Sequence, residues 1–211
     1  MTSSVRRSDK ASYGWAIVGA MLFVQTISSG LGFYNMSVYM TEFSKSLSLP
    51  LANVSFAVSL FFVVGGVAGM YVAKLLERIH VRWIMVGGAV LAGASLSAVG
   101  LAESLWQIYV LFTLFGIGNT GVSLVIATTL ITQWCPGSNR SIALSTASTG
   151  LSLGGVVVTP ATAYLFNTIG APATIPWHGL AFVVLIVPVA LWVVRPAPSQ
   201  MIALSLADAG R

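Results

Sequence analysis

The fold is decided by residues 141–194, SIALSTASTGLSLGGVVVTPATAYLFNTIGAPATIPWHGLAFVVLIVPVALWVV, which contain no Asp, Glu, Lys or Arg. A helix needs about 20 apolar residues to cross the roughly 30 Å hydrocarbon core of a bilayer. This run is too long for one such helix, and the glycine and two prolines of Gly170–Pro176 mark a loop inside it. The run therefore predicts two membrane spans, at 140–168 and 177–195.

Four more charge-free runs precede this one, and short clusters between the runs hold the charge. They cover residues 11–41, 46–73, 83–102 and 104–139. Each is long enough for one membrane span, and the predicted spans are 13–40, 51–75, 82–102 and 104–133. The chain is therefore predicted to be an all-α membrane protein with six transmembrane helices within residues 13–195, flanked by cytoplasmic tails at 1–12 and 196–211.

The composition favours a membrane protein and argues against several other classes. The chain is 56% hydrophobic and only 7% charged, whereas soluble proteins average about 25% charged residues. A net charge of +5 does not indicate nucleic-acid binding, because the cations flank apolar runs instead of lining one polar face. Cys135 and two distant histidines form no metal-ligand cluster. The dinucleotide-like Gly116–Gly121 lies inside a predicted span, so no cofactor is expected.

The basic residues predict the orientation of the chain. Six spans place both ends on one side of the membrane, and nine of the ten basic residues then share that side with the ends: Arg6, Arg7, Lys10, Lys74, Arg78, Arg82, Arg140, Arg195 and Arg211. Only Lys45 lies on the other side. Loops rich in Lys and Arg stay in the cytoplasm. We therefore expect a multi-pass protein of the cell membrane with both termini cytoplasmic.

Small residues at four-residue spacing predict tight helix packing, because lipid offers no hydrophobic drive between helices and close backbone contact replaces it. The clearest examples are Gly65 and Gly69 in the second span and Gly150 and Gly154 in the fifth span, which also contains Pro160.

A faint repeat relates these two spans. Residues 59–67 (SLFFVVGGV) and 148–156 (STGLSLGGV) share Ser, Gly, Gly and Val in register. Repeats of this kind, three spans apart, are typical of inverted-topology bundles.

The segment between the second and third spans carries the most specific motif. Residues 73–85 read AKLLERIHVRWIM. They resemble the signature loop of the major facilitator superfamily (MFS), Gly-x-Leu-x-Asp-Arg-x-Gly-x-Arg. Leu75, Arg78 and Arg82 match the motif and Glu77 replaces its Asp, while Ala73 and His80 replace its two glycines.

Further residues are similar to the oxalate/formate antiporter and monocarboxylate transporter-like branch of that family. They are Tyr13-Gly14-Trp15, Tyr39, Glu42-Phe43, Trp134-Cys135, Arg140, Ala143, Gly150, Gly154, Gly155 and Pro160. The family's transporters have two six-helix halves, and this chain corresponds to the first, built from 3+3 inverted repeats.

The resemblance implies transport of a small solute, in this branch an organic anion such as a mono- or dicarboxylate, by alternating access and with coupling to a proton or an anion. It also implies that Glu77 joins a cytoplasmic charge lock with Arg78, Arg82 or Arg140. Three interpretations stay open. The chain is a truncated transporter or fragment, a half-transporter that pairs with itself or with a second half, or a non-transporting membrane protein.

Polar side chains inside the spans are the candidate substrate contacts, because such groups usually face the bundle interior or a water-filled path. They are Gln25, Tyr34, Asn35, Asn119, Thr120 and Thr146. In the family, spans one and four line the central cavity, and all of these residues except Thr146 lie in those two spans. Interhelical hydrogen bonds, worth about 0.6 kcal/mol on average in membranes, are the competing role.

A six-span intramembrane serine protease is the alternative from another class. Ser152 and His178 would supply its nucleophile and base. The chain lacks the Gly-x-Ser-Gly motif of such proteases, and His178 is expected at a membrane edge beside Pro176. Transport is therefore the favoured interpretation, and the protein is not expected to be an enzyme.

Overall fold

A computed structural model describes residues 2–135 and 139–194, with side chains from residue 13 onward. Those residues form helices and no strands. The elements are α1 (Thr2–Ser28), a π-helical turn at Ser29–Tyr34, α2 (Met36–Ser46), α3 (Leu51–Leu75), α4 (Val81–Val99), α5 (Leu105–Thr120), α6 (Leu124–Trp134), α7 (Arg140–Leu153), a π-helical turn at Gly154–Val158, α8 (Thr159–Ile169) and α9 (Ala171–Trp192).

The elements combine into six helices long and apolar enough to cross a membrane, as predicted. The spans are Tyr13–Ser46, Leu51–Leu75, Val81–Val99, Leu105–Trp134, Arg140–Ile169 and Ala171–Trp192. Three of them are interrupted. Spans 1 and 5 each contain a π-helical turn, and span 4 contains a short break between Thr120 and Leu124. Such interruptions are tolerated at membrane depth only where protein or a water-filled cavity covers them.

The predicted loop at Gly170–Pro176 is wrong in extent. The break is confined to Gly170, whose φ of 83° suits a residue without a side chain, and α9 begins at Ala171. Pro172 lies in the first turn, where its missing N–H would have had no helical partner. Pro176 is accommodated within the helix. The sixth span consequently starts six residues earlier than predicted.

The packing of the spans shows a two-fold pattern between residues 13–99 and 105–192. Span 2 packs on span 4, and span 5 packs on span 1, while spans 3 and 6 pack extensively on each other. If span 1 is exchanged with span 4, span 2 with span 5 and span 3 with span 6, the same pairs of packed spans result. The arrangement is the one expected for two inverted three-helix repeats, and it agrees with the predicted half-bundle.

Glycines occupy the closest helix contacts. A Cβ added to Gly65 would lie 3.4 Å from the carbonyl oxygen of Gly116 in span 4. At Gly154, the equivalent position in span 5, it would overlap the backbone of span 1 at Thr26 and Gly30. Gly69 and Gly150 also face these neighbouring spans, whereas Pro160 is exposed at the start of α8. Small residues therefore set the distances between spans 1, 2, 4 and 5.

Spans 3 and 6 pack closely on each other, since a Cβ added to Gly93 would overlap Val183 and the carbonyl of Gly179. Met85 and Leu96 of span 3 and Phe182 and Ile186 of span 6 are buried. At one end, the Tyr13 hydroxyl donates a hydrogen bond of 2.5 Å to the carbonyl of Val193 and so ties span 1 to the end of span 6. Arg195, Arg211 and residues 136–138 lie outside the described residues.

The neighbouring glycines of span 3 test whether close packing stabilises the bundle. A Cβ on Gly88 would lie 2.6 Å from the carbonyl oxygen of Gly118, whereas one on Gly87 would have nothing within 4 Å. We expect Gly88→Ala to lower the melting temperature in detergent, since overpacking costs about 1–3 kcal/mol. Gly87→Ala should leave it unchanged or raise it, because Ala favours a helix. Equal melting temperatures for the two variants would contradict the packing.

Candidate functional site

A cavity of about 780 Å³ opens between spans 1, 2 and 4, with a contribution from span 5. Its polar lining residues are Gln25, Ser28, Ser29, Tyr34, Asn119, Thr120 and Ser123, and its apolar walls include Phe33, Phe61, Phe62, Met70, Leu124, Val125 and Leu151. None of the residues that line it carries a charge at neutral pH. The volume is in the range of small-molecule sites, which are mostly apolar with a few placed polar groups.

The cavity lies near the middle of the membrane. Ser29 and Asn119 are close to the central residues of the spans Tyr13–Ser46 and Leu105–Trp134. Both lie at interruptions of helical geometry, since Ser29 begins the π-helical turn and Asn119 precedes the break at Gly121. Discontinuous helices that meet near the midplane are characteristic of transporter binding sites.

Several polar groups around the cavity tie one span to another. The Ser28 hydroxyl donates to Asn119 Oδ1 at 2.8 Å, which joins spans 1 and 4. The Thr120 hydroxyl contacts the carbonyl of Gly65 at 3.2 Å, which joins spans 4 and 2. The Ser29 hydroxyl donates to the carbonyl of Leu151 at 2.9 Å. Ser29 and Thr120 are therefore committed to helix packing.

Two amides remain available to a solute. Gln25 is only 2% exposed and lines the cavity, and its side chain has no hydrogen-bond partner among the described residues. Asn119 accepts from Ser28 through Oδ1, which leaves its Nδ2 with two N–H donors. The Ser123 hydroxyl, which also lines the cavity, is buried without a hydrogen-bond partner, and such a group costs about 1–3 kcal/mol. A solute or water bound in the cavity would satisfy these groups.

Aromatic rings also line the cavity. Phe33 lies edge-on to Tyr34 with ring centroids 5.2 Å apart and to Phe62 at 5.6 Å. Phe61 extends the row toward Phe115 at 5.1 Å. Phe33, Tyr34 and Phe62 are all more than a third exposed. The cavity thus combines neutral hydrogen-bond donors with a rigid apolar wall.

The structure brings together four of the six predicted cavity residues, namely Gln25, Tyr34, Asn119 and Thr120. Thr146 lies elsewhere on α7, with its hydroxyl bonded to the carbonyl of Ile142. Asn35 is buried outside the cavity. Ser28 was not among the predicted cavity residues. It lies three residues after Gln25, so both residues share one face of the helix.

Asn35 belongs to a second polar cluster that joins spans 1, 5 and 6. Its Nδ2 donates to Thr162 Oγ1 at 2.6 Å. His178 lies 3.1 Å from the Tyr39 hydroxyl through Nδ1 and 3.4 Å from Thr162 Oγ1 through Nε2. His178 was expected at a membrane edge, but it is 6% exposed inside the bundle, because α9 begins six residues earlier than predicted.

The pair required for a serine protease is not formed. Ser152 is exposed on α7, while both ring nitrogens of His178 contact Tyr39 and Thr162. A nucleophile and its base must lie within hydrogen-bond reach.

The signature segment forms a tight turn between α3 and α4. The Arg78 amide donates to the carbonyl of Leu75 at 3.0 Å, and α4 starts at Val81. The side chains of Glu77 and Arg78 are exposed and that of Arg82 is partly buried. Within the described residues, Glu77 forms no ion pair with Arg78, Arg82 or Arg140. The expected charge lock is therefore absent from this conformation.

Access to the cavity can be tested with a cysteine at Gly66, which lines it and has room for a side chain. In a Cys135→Ser background we expect Gly66→Cys to react with a water-soluble thiol reagent. Ala89→Cys, at a position with no exposure, should react far more slowly because reagent must reach the thiolate. Mass spectrometry of the labelled protein measures both rates, and similar rates would argue against an open cavity.

Comparison with known families agrees with the geometry. The family model for the Major Facilitator Superfamily matches residues 22–208. No match was found among curated proteins. Given six membrane spans, inverted three-helix repeats and a midplane cavity, the chain belongs to the Major Facilitator Superfamily, a family of multi-pass membrane proteins that transport small solutes.

Proposed function

We propose that the solute is a small organic anion, such as a mono- or dicarboxylate, and that Gln25 and Asn119 are its contacts in this chain. The supporting observation is that the Gln25 amide and the Nδ2 group of Asn119 are available to donate hydrogen bonds in the midplane cavity. Amide N–H groups donate to carboxylate oxygens, and hydrogen bonds to charged groups are worth about 1.5–3 kcal/mol. No carboxylate lines the cavity to repel an anion.

The anion proposal also draws on the sequence resemblance to the oxalate/formate and monocarboxylate branch. The residues that carry it include Tyr13, which bonds to the end of span 6, and Trp134, which packs edge-on against Tyr13 with centroids 4.7 Å apart. These residues stabilise one end of the bundle and do not line the cavity. They support membership of the branch. In this proposal, Gln25 and Asn119 are the residues that recognise the anion.

The transport cycle that we propose is alternating access, in which two six-helix units rock about a central site. The exposed faces of spans 2 and 5 support it, with large apolar side chains such as Tyr71, Val156 and Tyr164 at least 68% exposed. A second six-helix unit placed there would close the open side of the cavity. Either a second copy of this chain or a separate half can supply that unit.

We further propose a cell-membrane location with the α3–α4 turn in the cytoplasm. Lys74, Arg78 and Arg82 lie at that turn, and Arg140 starts span 5 at the same end, whereas Lys45 lies at the other end. Excess basic residues favour the cytoplasmic side. Labelling a cysteine at the exposed Glu77 from each side of sealed vesicles reports the orientation.

Uptake of radiolabelled small carboxylates into liposomes tests the proposed function. We expect saturable uptake by the reconstituted protein. Gln25→Ala and Asn119→Ala should each raise KM roughly tenfold, because each removes a hydrogen bond to a charged solute. Thr146→Ala is the matched control, since Thr146 bonds only within its own helix.

Three outcomes would contradict this proposal. Uptake that is unaffected by both amide substitutions would remove the assigned site. An absence of uptake for carboxylates, with saturable uptake of a neutral solute that Gln25→Ala impairs, would keep the site and overturn the organic-anion assignment. An absence of all uptake by correctly folded protein would favour the non-transporting interpretation.

The requirement for a second unit predicts a defined association state. Native mass spectrometry of protein extracted with bound lipid should show a dimer, or a complex with a separate six-helix protein. Val156→Arg on the exposed face of span 5 should weaken it, because an unpaired charge is costly in such an interface. Trp192→Arg, exposed on span 6, is the control. A strict monomer with full transport activity would contradict the need for a second unit.

A further inference from the structure

The polar cluster around His178 is built from three spans and lies apart from the cavity. Asn35 and Tyr39 flank the start of α2, Thr162 comes from α8, and His178 comes from the second turn of α9. All four are buried, with at most 6% of the side chain exposed. The cluster lies in the half of the membrane away from the α3–α4 turn. An ionisable side chain inside a membrane span, such as His178, usually has a function.

Among the described residues, no charged side chain is bonded to His178, and Glu103, which follows α4 at the end near the start of α9, is exposed. Phe166 stacks on the imidazole with centroids 6.1 Å apart and planes 23° apart. Tyr39 is the titratable group that faces the ring from α2, while Glu42 and Lys45 lie further along α2 toward the membrane surface and are partly or fully exposed. From α8, Tyr164 points outward and is 68% exposed. From α4, Arg82 lies at the opposite end of the helix.

The hydrogen-bonding groups can serve the ring in both protonation states. A neutral imidazole accepts at one nitrogen and donates at the other, whereas a protonated ring must donate from both. Thr162 Oγ1 can accept from Nε2. Tyr39 Oη must then accept from Nδ1 and direct its own proton elsewhere. The Oδ1 atom of Asn35, one helical turn before Tyr39, is a buried acceptor without a partner.

The cluster is also connected to the cavity through the backbone. The Asn35 amide donates to the carbonyl of Gly30 at 3.1 Å and closes the π-helical turn Ser29–Tyr34. Ser29, Phe33 and Tyr34 of that turn line the cavity. Through its side chain, Asn35 is bonded to Thr162, which lies just after the second π-helical turn of span 5. The cluster thus includes the residue that closes the first π-helical turn and a residue four positions after the second.

We propose that His178, with Tyr39, Asn35 and Thr162, is a proton-binding site that controls access to the cavity through the π-helical turn Ser29–Tyr34. A proton placed on the ring brings a positive charge to a site with no counter-charge among the described residues. Such a charge is stabilised when water reaches it. Protonation therefore favours a conformation in which the end of the bundle near α2 opens. This role deepens the proposed transport function and identifies the proton as the coupling ion.

The experiment uses a cysteine on the π-helical turn itself, at Phe33, in a Cys135→Ser background. Phe33 is 55% exposed, so its replacement leaves room for a reagent. We expect the labelling rate, divided by that of the same cysteine with His178→Gln, to rise several-fold as the pH falls from about 8 to 4, because protonation of His178 favours the open conformation. Division by the His178→Gln rate removes the intrinsic pH dependence of thiol reactivity.

The matched control is His80→Gln, because His80 is the other histidine of the chain and lies in the α3–α4 turn. It should keep the pH dependence. A rate ratio that does not change with pH, or a pH dependence lost equally in His80→Gln, would overturn the proposal. If His178→Gln does not fold, ¹⁵N-histidine NMR of the protein with native histidines decides. A His178 ring that stays neutral until the protein unfolds would also overturn it.

These measurements need no solute. A pH-dependent labelling rate together with an absence of uptake would leave the proton site intact and reject the transport proposal. Carboxylate uptake together with a pH-independent labelling rate would support the transport proposal and reject the proton site.

Discussion

The absence of water as a hydrogen-bond partner in the bilayer core constrains every other feature of this protein. Each backbone N–H and carbonyl in the hydrocarbon region must be paired within the chain. Continuous helices meet this requirement at once, and the six spans result from it. The informative places are the interruptions in spans 1, 4 and 5, because departures from a regular α-helix at membrane depth are tolerated only against protein or a cavity. All three lie at the interfaces between spans 1, 2, 4 and 5.

Glycine contacts make those interruptions possible. At Gly30 in the first π-helical turn, an added Cβ would lie 2.5 Å from the Cβ of Val158 in the second one, so the two turns cover each other. On the other side, Gly116 and Thr120 of span 4 lie against Phe61 and Gly65 of span 2. Close helix packing therefore includes residues that line the cavity, such as Gly65, Gly116 and Thr120. A widened π-helical turn can change without loss of the surrounding helices, and such turns frequently mark functional sites.

Two polar sites result, and they differ in the groups that they offer. The cavity is lined by neutral amides and aromatic rings, with Gln25 and Asn119 uncommitted, and it suits a solute. The cluster around His178 is sealed and already hydrogen-bonded, and it suits a proton. Asn35 lies between them, since its backbone closes the turn that lines the cavity and its side chain belongs to the cluster. In the proposed mechanism, Asn35 of span 1 links solute binding to proton binding.

The sequence by itself determined the number of spans, the family and the inverted repeat, because span length, signature residues and small-residue spacing are local properties that the membrane constrains directly. It also indicated four of the cavity residues. Only the tertiary structure decided which face each polar residue presents. Asn35 shares a span with Gln25, but the π-helical turn between them adds a residue to the turn and rotates the rest of the span by about 100°. The tertiary structure also decided the depth of His178 in the membrane, because that depth depends on whether α9 starts before or after Pro176. The proline pattern suggested a loop, while packing against spans 1 and 3 favoured a longer helix.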